Sequence, residues 1–259
     1  MAGSLKSTSV GNTLVLTLSN REARNTLSPE IYAAGVEALN AAENNPEIRS
    51  VVITGEGSVF CAGGNLQRLQ ANRREAPEVQ AQSIEGLHNW LDSIRTYPKP
   101  VLAAVEGAAA GAGFSLALAC DFVVAASNSV FVMSYINVAL SPDGGGSWAL
   151  SRTLPRALAN ELLMLGERIG ADRLRDLGLV NRVCAPGEAL ATSLRLADQL
   201  NARAPNALAS IKELVNDAAT SSLSSQLASE RDHFVRNLHH ANGAEGIDAF
   251  LQKRAVRYR

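Results

Sequence analysis

The strongest constraint on this chain is a rhythm of short strand-length runs separated by longer helical ones. TLVLTL (13–18), SVVITG (50–55), VLAAVEG (101–107), DFVVAA (121–126) and VFVM (130–133) are mostly apolar and β-branched. Charge scarcely interrupts them, so a sheet built from them is expected to be covered on both faces. Between them, Ser28-Pro29-Glu30 has the cap and first-turn proline of a helix start. A second helix is expected over about 78–97, with Ile84, Leu87, Leu91 and Ile94 on one face and Pro98 and Pro100 beyond its end. This order predicts an α/β fold. GAAAGAGFSLALAC (107–120) has residues too small for a strand and is expected to be a loop feeding a buried helix. After Gly144, helical periodicity dominates over about 147–165, 188–203, 207–220 and 223–240, and GIDAFLQKRAVRYR closes the chain as a short helix with a basic tail. Residues 1–200 are thus expected to form an α/β core and 201–259 a helical region.

At 259 residues, the chain can bury a full core without disulfides or metals. With 24 Lys+Arg against 25 Asp+Glu, it lacks the basic excess of a nucleic-acid binder. Cys61, Cys120 and Cys184 stand far apart, in neither a disulfide framework nor a zinc pair, which suits a cytoplasmic protein. MAGSLKSTSV has no apolar run of signal-peptide length. The uncharged stretch 122–142 is long enough to span a bilayer, but Ser127, Asn128, Ser129, Ser134 and Asn137 interrupt it and Pro142 closes it. A buried strand-turn-strand is expected there instead, and the protein is expected to be soluble.

Several motifs invite chemistry. Gly55-Glu-Gly57 and Gly111-Ala-Gly113 follow strands, but Phe60 and Leu116 replace the third glycine of a dinucleotide fingerprint. Gly113-Phe-Ser115-Leu-Ala117 is one substitution from a nucleophile elbow, with His233, His239 and His240 downstream. Ser115 lies too far beyond its strand for that role, so a small helix-packing serine is expected. The histidines lack metal-site spacing; His239 and His240 read as solvated surface, and His88 as a satisfied histidine beside an apolar stripe. SPDGGGSW (141–148) stands out: Pro-Asp-Gly suits a turn, yet a carboxylate facing an apolar pocket could shuttle protons.

FCAGGNL (60–66), GAAAGAGFSLALACD (107–121) and FVMSYINVALSPDGGGSW (131–148), in that order, resemble the crotonase family of enoyl-CoA hydratases and isomerases. ARNTLS (23–28), PKPVLAAVEG (98–107) and FLQKR (250–254) are also similar to it. The resemblance implies a spiral of ββα units with C-terminal helices that build a homotrimer, or a hexamer of two trimers. It implies an acyl-CoA substrate, with CoA as part of the thioester and no prosthetic group or metal. Its shared chemistry is a thioester enolate held by two backbone N–H groups, which fall here at Gly64 and Ala112. CoA contacts are implied at Ala23, Arg24 and Ala62, with Leu66 nearby, and at Phe250 and Lys253 from a neighbouring subunit.

The departures decide the expected reaction. Where the hydratase has its two glutamates, this chain has Ser115 and Tyr135, neither a carboxylate at neutral pH. Where the hydratase has glycine, this chain has Asp143, as in the branch of ring-1,2-epoxyphenylacetyl-CoA and Δ3,Δ2-enoyl-CoA isomerases. Asn65, where an aspartate usually follows the glycine, supports the loop and leaves the chemistry unaffected. The expectation is therefore an acyl-CoA isomerase of aromatic or fatty acyl-CoA degradation, with Asp143 moving the proton. The alternatives are an enoyl-CoA hydratase with an atypical site, an aryl-CoA dehalogenase using Asp143 and His88, and a non-catalytic CoA-binding partner.

Overall fold

The structure, a computed structural model, describes residues 3–259. A six-stranded sheet runs in the order β1 (Ser4–Val10), β2 (Thr13–Ser19), β3 (Ser50–Gly55), β4 (Val101–Val105), β6 (Phe122–Ala126) and β9 (Arg182–Cys184). Only the β1–β2 pair is antiparallel; every other neighbour is parallel. Parallel neighbours need crossover connections. Here they are α1 (Pro29–Glu43) after β2, then α2 (Leu66–Asn72) and α3 (Pro77–Thr96) after β3.

Period-two alternation sorts the sheet's side chains onto two faces. Val51, Ile53, Val101, Ala103, Val105, Val123 and Ala125 enter the main core. Val52, Leu102, Ala104 and Val124 enter a second core against α8 (Ala189–Asn201). Both faces are buried, as the uninterrupted apolar runs predict. On α3, Leu87, Trp90, Leu91 and Ile94 form the buried stripe, at helical spacing.

A smaller sheet, in the order β5 (Ala108–Ala110), β7 (Val130–Val132) and β8 (Ile169–Gly170), corrects the loop expected at 107–111. Its alanines have little intrinsic strand preference and are held by pairing with β7. The helix expected to follow is α4 (Ala112–Ala119), buried almost throughout. The single helical run expected at 147–165 is two helices, α5 (Gly146–Thr153) and α6 (Arg156–Leu165), because Pro155 breaks it. After α7 (Ala171–Asp176) and β9, the rest of the chain is helical: α8, α9 (Pro205–Ala218), α10 (Leu223–Leu238) and α11 (Ala241–Leu251). A Lys212–Asp121 ion pair of 2.8 Å fastens α9 to the sheet. Among the described residues, no helix is long and apolar enough to cross a membrane.

Candidate active site

Two strand ends build the first half of the site. The chain beyond β3 pairs with β5 in parallel at Cys61: Cys61 N–H donates to Ala108 O (3.1 Å) and Ala110 N–H to Cys61 O (2.9 Å). This pairs Cys61 with Ala109. Beyond that pair the two segments stay close, since a Cβ on Gly63 would come 3.3 Å from Ala112 N, and Gly64 and Ala112, distant in sequence, line one cavity. Gly63 makes the approach possible: its φ is +88°, and a Cβ there would lie 2.7 Å from Ala110 O. Ala112 opens α4, where an N–H has no acceptor within its own helix. Among the described residues, neither the Gly64 nor the Ala112 N–H donates to a protein group. Both positions line a cavity of about 760 Å³. Two free donors at one spot suit negative charge developing on an oxygen.

The second half comes from β7 and the turn beyond it. β5 and β7 are parallel with Ala110 opposite Val132, and Gly111 N–H donates to Val132 O (2.9 Å). The chain leaving β7 therefore emerges beside Ala112, and a turn of 3₁₀ helix (Ser134–Val138) carries Tyr135 there. The Tyr135 hydroxyl donates to Asp143 Oδ1 at 2.8 Å, and both side chains line the cavity. Burial, and then the facing Asp143 carboxylate, push the Tyr135 phenol well above its ordinary value, so it remains a neutral donor. His88, on α3, places Nε2 2.6 Å from the Asp143 backbone oxygen. That oxygen can only accept, so Nε2 carries the proton and pins the Asp143 loop. His88 is exposed, and its partner is this carbonyl, not the apolar stripe beside it.

Ser115 is buried inside α4 and its hydroxyl has no hydrogen-bonding partner, so it belongs to no Ser–His–Asp relay. It lies beneath the glycine loop: a Cβ on Gly144 would come 3.0 Å from Ser115 Cβ, and one on Gly146 3.0 Å from Ser115 Oγ. Of the downstream histidines, His233 is buried and faces Glu213 at 3.7 Å. His240, exposed as expected, also caps α11 by accepting the Asn242 N–H at 3.0 Å through Nδ1. Burial pushes the Cys61 thiol up to about 12, which leaves it protonated and unreactive. Among the described residues, no cluster of His, Cys, Asp or Glu could hold a metal ion.

The remaining residues singled out from the sequence divide in two. Ala62 and Leu66 line the cavity. Ala23 and Arg24 lie next to it, because the Ala62 N–H donates to Arg24 O (3.0 Å) and the Leu27 N–H to Gly63 O (2.8 Å). Buried Asn25 locks that loop by donating to the backbone oxygens of Glu56 (3.0 Å) and Val59 (2.7 Å). Phe250 and Lys253, by contrast, lie outside the lining; Phe250 is 84% exposed at the end of α11. Asn65 caps α2, its side-chain oxygen accepting the N–H groups of Gln67 (2.9 Å) and Arg68 (3.1 Å). Tyr32 and Arg68, which the sequence does not single out, also line the cavity. Neither belongs to a recognisable motif, and only the packing of α1 and α2 against α3 brings them there.

The enoyl-CoA hydratase/isomerase family model matches residues 9–259. A 1,2-epoxyphenylacetyl-CoA isomerase of Escherichia coli (strain K12) is 35% identical over 246 residues, covering 95% of this chain and 94% of its own. A carnitinyl-CoA dehydratase of Salmonella typhi is 36% identical over 260 residues, covering 98% of each. The crystal structure of an enoyl-CoA hydratase from Polaromonas sp. JS666 superposes with a TM-score of 0.98 at 81% identity, covering 98% of this chain and 99% of the other.

Proposed function

The chain belongs to the enoyl-CoA hydratase/isomerase family, and from that premise we propose that it is an acyl-CoA isomerase that moves one proton with Asp143. The observation that carries this reading is the inventory of carboxylates. Asp143 and Glu75 are the carboxylates lining the cavity, and Glu75 is an exposed residue beyond α2. Ser115 and Tyr135 cannot supply the second carboxylate that activation of a water would use. In our reading, the thioester oxygen accepts from the Gly64 and Ala112 N–H groups, which lowers the cost of removing a proton from the carbon beside it. Asp143 takes that proton through Oδ2, since Oδ1 accepts from Tyr135. The double bond shifts as the same proton returns to the far carbon of the dienolate. No water enters, so one base is sufficient.

CoA is part of the substrate in this reading. Its thioester arm passes Ala62, Leu66 and the Ala23–Arg24 loop. Phe250 and Lys253 complete the site in a neighbouring copy within a homotrimer or hexamer, which suits the exposure of Phe250 and its distance from the chain's own cavity lining.

The test is a substrate panel: 3-enoyl-CoA, 2-enoyl-CoA with water, and epoxidised phenylacetyl-CoA, each with wild type and Asp143→Asn. Double-bond migration or epoxide isomerisation that disappears in the variant is expected. Hydration of 2-enoyl-CoA as the fastest reaction would overturn the reading.

A further inference from the structure

The proton shuttle is not the only charged group facing the chamber. Arg68, on α2, is half-buried in the cavity wall, beside Tyr32 and Ser83. One of its N–H groups donates to the Ser83 hydroxyl on α3. Arg68 forms no ion pair among the described residues, unlike half-buried Lys212 with Asp121. The exposed Arg73 and Glu75 farther along the same wall carry opposite charges. The exposed Glu30 carboxylate feels the Arg68 charge from a distance, but no carboxylate lies within ion-pair reach, so the remaining Arg68 N–H groups have no anionic partner among the described residues. A partly desolvated guanidinium with spare donors is costly until an anion or strong acceptor meets it.

The third helix provides a ruler. His88 holds the Asp143 carbonyl and Ser83 holds Arg68, five residues apart on α3, about 7.5 Å along the helix axis. Between those two levels, Ile84 and Leu87 of the same helix line the cavity. The chamber thus offers a carboxylate at one level, an apolar wall, then a cation. Arg68, Tyr32 and Asp143 all line this one cavity, so the two ends share one space.

We propose that Arg68 is a specificity-determining residue that binds a carboxylate at the distal end of the acyl group, so that the preferred substrates are short acyl-CoA thioesters with an ω-carboxylate. This rests on the acyl-CoA reading above and deepens it. A carboxylate fits the fork of a guanidinium with paired, charge-assisted hydrogen bonds. An alkyl terminus leaves the cation unpartnered, and a quaternary ammonium terminus meets like charge.

Equilibrium binding of three saturated thioesters of equal chain length tests the assignment without any turnover: hexanoyl-CoA, adipoyl-CoA and the ω-trimethylammonium counterpart of hexanoyl-CoA. Wild type is expected to bind adipoyl-CoA about 10- to 100-fold more tightly than hexanoyl-CoA, and the ammonium thioester most weakly. Arg68→Gln should reduce the adipoyl preference to within about 3-fold while leaving hexanoyl-CoA affinity unchanged, which also shows that the variant is folded. Arg68→Lys should retain part of the preference. Equal binding of adipoyl- and hexanoyl-CoA by wild type, or a preference that survives Arg68→Gln, overturns the assignment and leaves the acyl-CoA reading standing. If none of the three thioesters binds, the acyl-CoA reading falls and takes this one with it.

Discussion

The two halves of the chamber are built from different materials. At Gly64 and Ala112, the proposed chemistry sits in the backbone, presented where the chain beyond Cys61 pairs with β5 and reaches the start of α4. At Asp143 and Tyr135, it sits in side chains, presented by the turn after β7 and by a glycine loop pinned by His88. A backbone donor is indifferent to the side chain it carries, provided that side chain is small enough to allow the approach. A side-chain group is replaced outright by a single substitution. In the proposed reading, one scaffold can therefore keep enolate stabilisation while the proton-handling half changes.

Substitutions on either side should show that asymmetry. Asp143→Asn removes the only proposed base and should lower kcat for isomerisation by about 10²–10⁴-fold, with little change in the affinity for a saturated thioester. Steady-state kinetics alongside calorimetric binding would check both. Ala112→Pro is the matching blow to the backbone half. Proline is tolerated at the first position of a helix but has no N–H, so kcat should fall about 10²–10³-fold while circular dichroism stays that of the wild type. A drop no larger than that of a neutral surface variant would show that the Ala112 donor is idle.

Smaller effects sharpen the contrast. Tyr135→Phe deletes one hydrogen bond to Asp143 and should cost about 10-fold in kcat with KM nearly unchanged. The same variant tests the burial of the phenol. Its raised folded-state pKa means that Tyr135 contributes stability that is intact below about pH 10, the unfolded phenol's pKa, and is lost as pH rises above it. Denaturation curves between pH 9 and 11 should therefore fall more steeply for wild type than for Tyr135→Phe. Gly64→Ala should be the mildest. A Cβ there would find only Leu69 Cδ1, at 3.8 Å, and the N–H is retained, so kcat/KM should stay within about 3-fold. A large loss would mean that the backbone half is less tolerant of side chains than its geometry implies.

The fold was legible wherever burial imposes a pattern. β3 spans 50–55, the limits expected from SVVITG, and α3 lies within one residue of its expected start and end, because proline bounds it and one apolar stripe faces the core. β1 escaped notice since SLKSTSV is an exposed edge strand with no buried face to give it a period. β5 and β8 escaped for another reason: three alanines, or two residues, carry no strand signal and depend on β7 for their pairing.

The site divides along the same line. A lone carboxylate in a glycine-rich loop marked Asp143 from its own segment, while Gly64 and Ala112 became candidates only through the resemblance of FCAGGNL and GAAAGAGFSLALACD to a known family. Three relations depended on the tertiary structure: the packing that brings Gly64 and Ala112 to one cavity, the clamp of His88 on the Asp143 carbonyl, and the placing of Arg68 across from Ser83. Each joins segments distant in the chain. Hydrophobic periodicity reports which face of an element is buried, but not which residues of two remote elements lie level with each other. That alignment is decided only when the elements pack.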